Sequence, residues 1–330
     1  MSIPKSVGTD EQYSEVRVLR VADVGAIVGQ ARCGEIGTSM SEYSIEKNAT
    51  GFWEISPKPD SETLARHYRE KYFGASDGHN PYAFGYTDEE LEHKFLDATE
   101  TQAIVGDGRR TLFEVGCGEG FFLEHFQRLG WEVRGIDFTS DGVQAFFPHL
   151  APLLTTGDAF ELLQAEVDAG RQYDMVVCNN VLEHVIEPFR LIDLLGAIVK
   201  PNGLVRITVP NDFSWLQGLA VSRGNVPDQF WVLPPDHLNY FNVDMMSKFL
   251  KESGWSILDL LSSFPVDLFL LNEDSNYVRT KERGRACHFA RIAFEVGLWK
   301  QGIDKLIAFR RGCAASGVGR DLTVYAKPNK

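Results

Sequence analysis

The sequence predicts an α/β fold with a mostly parallel sheet and helices on both faces. Three observations predict it. From Thr111 onward, short apolar runs alternate with helical patterns. The first run leads into a glycine-rich turn, Gly116-Cys117-Gly118-Glu119-Gly120, and a helical pattern follows at once. The next run ends in an acid, Asp137, 17 residues after Gly120. Strand, glycine turn, helix and acid-ended strand in that order hold a nucleotide-like ligand.

Taken in order, residues 1–60 show no clear period, and Gly25, Gly29, Gly34, Gly37 and Gly51 among short apolar runs read as loose strands and loops. A helix is expected from Ser61 through Phe73, and a second over Leu91–Val105. The stretch GDGRR, Gly106 to Arg110, breaks the pattern. It predicts a boundary at 108 between an N-terminal extension with a helical cap (1–108) and the main domain (109–330). Five strands follow, in LFEVG, WEVRGID, PLLTTGD, YDMVVCNN and GLVRITVP. The helices between them include GFFLEHFQRLG, AFELLQAEVDAG and PFRLIDLLGAIVK. Residues 212–240 read as a long aromatic loop, VDMMSKFLKESG as a helix and WSILDLLSS as a sixth strand. Helical patterns return over 284–311, and DLTVYAK is the expected last strand.

The 330 residues are 44% apolar and 24% charged, enough for a sizeable core. A net charge of −13 disfavours a nucleic-acid partner, which needs a basic surface. The basic run Arg279–Arg285 reads as a solvated helix start. The five cysteines form no C-x-x-C pair, so neither a zinc knuckle nor a disulfide framework is expected, and a reducing cytoplasm fits best. No apolar run is long enough to span a membrane, and the first sixteen residues lack the apolar core of a secretory signal.

The turn spacing is G-x-G-x-G, not the G-x-G-x-x-G of dinucleotide sites. Glu114 and Glu119 flank it and would repel a pyrophosphate. They would attract S-adenosylmethionine (SAM), which carries a sulfonium and an ammonium. Glu119 has a second reading, as an acid complementing the dipole of the helix it begins. Glu114 lies near the end of a buried strand, where a lone acid is costly, and this favours a functional role.

At these residues the chain resembles the Rossmann-like (class I) SAM-dependent methyltransferases, in particular the ubiquinone/menaquinone-methyltransferase-like group. Glu114–Gly120 matches the first motif, Gly135–Phe138 the ribose-binding strand end, and Gly157–Phe160 the adenine-binding turn. Tyr173–Val185 and Lys200–Pro210 match the group's fourth and fifth strands. The resemblance covers residues 111–211. It implies a seven-stranded, mostly parallel sheet with an N-terminal cap and a helical insertion before the last strand. It also implies roles: Gly116, Cys117 and Gly118 at the methionine part of SAM, Asp137 on the ribose, and Phe138 over the adenine. Asp158 and Ala159 would meet the adenine edge, and Asn179 the methionine amine. Downstream, PPDHLNYFNVDMMSKFLKESGW is similar to methyltransferases of bacterial sugar and surface-polysaccharide pathways, which suggests a sugar or sugar nucleotide as acceptor.

An alcohol acceptor must lose its proton, and a histidine suits that task. His184 follows the fourth strand, and His237 lies in the loop after the fifth, where Asp236 or another acid would orient it. Each has a structural reading: His184 as a helix-start residue bonded to backbone, His237 as a latch. Tyr72 and Tyr240 are candidate pocket residues with Asp236. No metal is expected, because Asn179 and Asn180 stand where a catechol-type magnesium site would need acids. The N-P-P-aromatic run of base methylation is absent there, and the one Y-x-x-x-K match, Tyr43 to Lys47, precedes the glycine turn. The expected function is O-methylation of a sugar or sugar nucleotide. N- or C-methylation, or a SAM-binding module without catalysis, are the alternatives.

Overall fold

The computed structural model describes residues 43–60, 62–64, 66, 67, 85–106 and 110–329. The expectations for residues 1–42, for most of the helix from Ser61 to Phe73 and for Tyr72 lie outside the described residues. The strands are β1 (Ser44–Lys47), β2 (Trp53–Ser56), β3 (Thr111–Val115), β4 (Glu132–Asp137), β5 (Leu154–Thr156), β6 (Tyr173–Asn179) and β7 (Val199–Pro210), then β8 (Asn239–Tyr240), β9 (Trp255–Ser262) and β10 (Asp321–Pro328).

Seven of them form one sheet in the order β5-β4-β3-β6-β7-β10-β9. Neighbours from β5 to β7 are parallel, and β10 runs antiparallel to both β7 and β9. This is the mostly parallel seven-stranded sheet expected. The order reverses between β3 and β6, so their carboxyl ends open a crevice where open α/β sheets bind ligands. Strand interiors such as Phe113, Val176, Val177 and Ile207 are fully buried, as a sheet covered on both faces requires.

Local chemistry sets the helices. α1 (Asp88–Lys94) starts at a capping box between Thr87 and Glu90, and α2 (Leu96–Val105) follows directly. α3 (Phe121–Arg128) leaves the glycine turn and buries Phe122, Leu123 and Phe126. α4 (Asp141–Phe146), α5 (Ala159–Asp168) and α6 (Pro188–Ile198) fill the crossovers, α6 with proline in its first turn. α7 (Trp215–Ser222) has a second capping box, between Ser214 and Gln217. α8 (Val243–Glu252) precedes β9, and α9 (Gly284–Lys300) and α10 (Ile303–Ala315) are the helical insertion before β10. Among the described residues no helix is long and apolar enough to cross a membrane. Cys117, Cys178, Cys287 and Cys313 are free thiols.

The boundary expected at 108 falls inside one compact unit, Thr38–Lys330. The physical reason is strand pairing. β1, β2 and β8 form a second, three-stranded sheet, with Trp53 opposite Tyr240 and Glu54 opposite Asn239. Residues early in the chain therefore brace the loop that carries His237.

Candidate active site

The glycine turn sits at the carboxyl end of β3. Gly116, Gly118 and Gly120 all adopt positive φ, which only glycine takes readily. At Gly116 a Cβ would stand 2.6 Å from Val181 Cγ2, whereas at Gly118 it would meet no protein atom within 4 Å. Open space above a turn glycine is where a ligand approaches the backbone. Cys117 points the other way: it is buried, and its Sγ donates weakly to the carbonyls of Ile136 and Glu114. Cys117 thus offers a ligand only its backbone.

A cavity of about 350 Å³ opens over the turn. Glu114, Gly116, Gly118, Asn179 and Asn180 line one end, and Thr208, Ser262, Ser263, Asp321 and Thr323 the other. Glu114 is 3% exposed, and its Oε2 has no hydrogen-bond partner. Burial pushes its carboxyl well above the usual range; Arg206 opposes this and Asp137 adds to it. A cation set against Glu114 would draw it back to the charged form. These residues fit SAM, whose sulfonium and ammonium are the kind of charge Glu114 lacks.

Asp137 accepts from Gly118 N–H at 2.8 Å and from Thr139 N–H at 3.2 Å, so it braces the turn. Burial raises its carboxyl, and these backbone donors oppose the rise. Phe138 is half exposed at the end of β4. Asp158 caps α5 through the N–H groups of Phe160 and Glu161, and Ala159 opens that helix. Asn179 accepts from Arg206, whose guanidinium is fully buried. Glu119 does not stand free beside the turn: it pairs with Lys94 at 2.6 Å and accepts from the Tyr86 hydroxyl at 2.5 Å. Its charge ties the end of α1 to the turn. Lys94 was not foreseen, because nothing in a lysine at a helix's last turn signals a partner 25 residues on.

The two candidate histidines come together, with ring centroids 4.9 Å apart. Backbone stapling brings them there. Leu238 N–H donates to the Glu183 carbonyl at 2.7 Å, and Asn239 Nδ2 donates to the carbonyls of Leu182 and Val185. His184 Nδ1 lies 2.6 Å from the Asp236 carbonyl oxygen. That oxygen can only accept, so Nδ1 carries hydrogen and Nε2 the lone pair. Glu183 is 2% exposed and places Oε1 3.8 Å from His184 Nε2. Glu183, His184 and His237 offer ligand atoms within 4.8 Å of one another, and could hold a cation.

The acid nearest His237 is the other acid that the sequence allowed for: Asp212 has Oδ2 4.0 Å from Nδ1, and the Asp236 carboxylate stands 3.6 Å from His67. One expectation needs correction. Tyr240 is not a pocket residue. It is 1% exposed, and its hydroxyl donates to the His237 carbonyl and accepts from Leu233 N–H, so it anchors the loop.

Residues 86–260 match the family described as a methyltransferase domain, and this is more than half of the chain. The chain belongs to that family. It is a class I SAM-dependent methyltransferase. The methyltransferase is 28% identical over 188 residues to a ubiquinone biosynthesis O-methyltransferase of Burkholderia pseudomallei (strain 1710b), covering 54% of this chain and 79% of that one. A protein of the same name from Burkholderia multivorans (strain ATCC 17616 / 249) is 36% identical over 107 residues, 32% of the methyltransferase and 45% of the relative. Among solved structures, a Burkholderia thailandensis 1,6-didemethyltoxoflavin-N1-methyltransferase is 14% identical, with a TM-score of 0.49 over 91% of this chain and 100% of that one.

Proposed function

We propose that this enzyme methylates a hydroxyl oxygen of a small polar acceptor, a sugar or sugar nucleotide being the class that fits. The observation that carries the reading is the Glu183–His184–His237 cluster, which begins three residues beyond Asn180 in the cavity wall. An amine acceptor can be methylated from its free base. An alcohol needs a group that removes or acidifies its proton, and this cluster supplies one. The far wall, with Thr208, Ser262, Ser263, Asp321 and Thr323, favours a polyhydroxylated partner over an apolar one. The relatives' names, as O-methyltransferases, agree with an oxygen acceptor.

SAM would supply a methyl group whose bond to sulfur breaks, with the electron pair going to sulfur, as the acceptor's C–O bond forms. Gly116 and Gly118 would admit its methionine part, and Glu114 would face the positive charge. Asp137 would hold the ribose, with Phe138, Asp158 and Ala159 around the adenine. Asn179 would contact the amine through its backbone. The histidine cluster would receive the acceptor's proton. The remaining work is alignment, which the stapled loops perform.

Incubation with SAM and a panel of sugar nucleotides, with simple phenols alongside, tests the acceptor class by product mass. Methylation of phenols alone would overturn the sugar reading. Tight SAM binding with no turnover on any acceptor would favour a binding module. His237→Ala is expected to lower kcat by about 10²–10⁴-fold while the affinity for S-adenosylhomocysteine stays constant. Asp137→Ala is expected to weaken that affinity at least ~10-fold in calorimetry, since a hydrogen bond to a charged group contributes about 1.5–3 kcal/mol. Unchanged binding would take Asp137 out of the ribose role.

A further inference from the structure

The acceptor-side cluster combines features that a proton acceptor does not require. Glu183 is buried, its Oε2 has no hydrogen-bond partner, and its Oε1 lies 3.8 Å from His184 Nε2. The hydrogen bond from His184 Nδ1 to the Asp236 carbonyl turns the Nε2 lone pair toward Glu183. Behind His237 stands Asp212, itself fixed by Arg320 at 2.9 Å and Gln217 at 3.4 Å. The carbonyl hydrogen-bonded to His184 is the outer support that metal-binding histidines use, and Asp212 stands 4.0 Å from His237.

We propose that Glu183, His184 and His237 bind a divalent transition-metal cation such as Zn²⁺ or Mn²⁺ beside the methyl-transfer cavity. Two imidazoles and one carboxylate suit such ions better than Mg²⁺ or Ca²⁺, which prefer oxygen donors. Bonds of about 2.0–2.2 Å hold ligand atoms roughly 3–3.6 Å apart, so atoms within 4.8 Å of one another need to close by no more than about 1.2–1.8 Å, within reach of side-chain rotation. Three protein ligands leave coordination positions open, where an acceptor hydroxyl would be acidified by the positive charge. That purpose rests on the O-methylation reading; the binding itself does not. Sequence reasoning sought acids directly after β6 and found asparagines. The third ligand comes from the loop before β8, which local spacing does not reveal.

The test uses the full chain, stripped with a chelator and then incubated with Zn²⁺ or Mn²⁺ alone. Elemental analysis after desalting and calorimetry read stoichiometry and affinity, and Co²⁺ substitution gives a ligand-field spectrum independent of activity. One cation per chain is expected. Glu183→Gln and His237→Ala should each weaken binding about 100-fold or more, and Asp212→Asn about 10-fold. Binding of S-adenosylhomocysteine checks that each variant is folded. Uptake well below one equivalent, or variants that bind as tightly as the parent, would overturn the site. A metal-stripped enzyme that still methylates hydroxyls at full rate would overturn the cation's part in the reaction and leave O-methylation standing. A bound cation with no methylated hydroxyl among the acceptors would sink O-methylation and leave the site.

Discussion

Arg310→Met is expected to lower the midpoint of thermal unfolding by roughly 4–8 °C. Arg310 lies on α10 with its guanidinium nearly buried, and reaches Asp97 at 2.7 Å, Glu100 at 2.9 Å and Glu295 at 2.8 Å. His93 stands 2.9 Å from the same Glu295. Removing the cation leaves the buried Glu100 and Glu295 without their partner, and breaking a buried pair from one side costs about 3–5 kcal/mol. A chain of 330 residues shifts by about 1.5 °C per kcal/mol. Arg311→Met is the control: its half-exposed pair with Asp259 contributes about 1 kcal/mol or less. Equal shifts for the two variants would remove the cluster from its structural role. The same cluster sets an acid limit. Burial pushes Glu295 up, but Arg310 and His93 outweigh it and hold its carboxyl at about 2, below the ordinary 4.5. A depressed carboxyl stabilises the fold above its ordinary value, and that contribution is lost as pH falls from about 4.5 toward 2. Glu100 runs the other way, raised by burial despite Arg310, and contributes nothing to that loss.

Gly118→Leu should abolish cofactor binding while leaving the chain folded. The position has φ +53° and no protein atom within 4 Å of a would-be Cβ. A side chain there meets only cavity space, so the folding cost is the left-handed backbone alone, about 1–2 kcal/mol. The isobutyl group would occupy the approach to the turn. Calorimetry with S-adenosylhomocysteine should show affinity reduced at least 100-fold, with a thermal shift of only a few degrees. Retained affinity would mean that the cofactor does not lie against this turn.

What the sequence makes legible here is local. The strand before Gly116, the turn and the helix after it are neighbours in the chain, so apolar period and glycine spacing reveal them together. The seven-stranded sheet follows from repetition of that unit. The acceptor side is assembled differently. Asp236 is adjacent to His237 in sequence, yet its carboxylate turns to His67, and Asp212 arrives from the end of β7. Tyr240 has the composition of a pocket aromatic, but its place opposite Trp53 buries it. Glu119 reads as a free acid until α1 brings Lys94 across. In each case the deciding partner is distant in the chain, where no period or spacing reaches.

The small sheet of β1, β2 and β8 bears on how the enzyme can be trimmed. A shortened protein confined to the family-matched stretch 86–260 would keep the glycine turn but discard β2, which pairs with Asn239 and Tyr240, and β1, which pairs with β2. It would also lose the last strand, which pairs with β7. Such a fragment would keep the turn yet loosen the loop that carries His237, because that loop is held by a strand from far earlier in the chain.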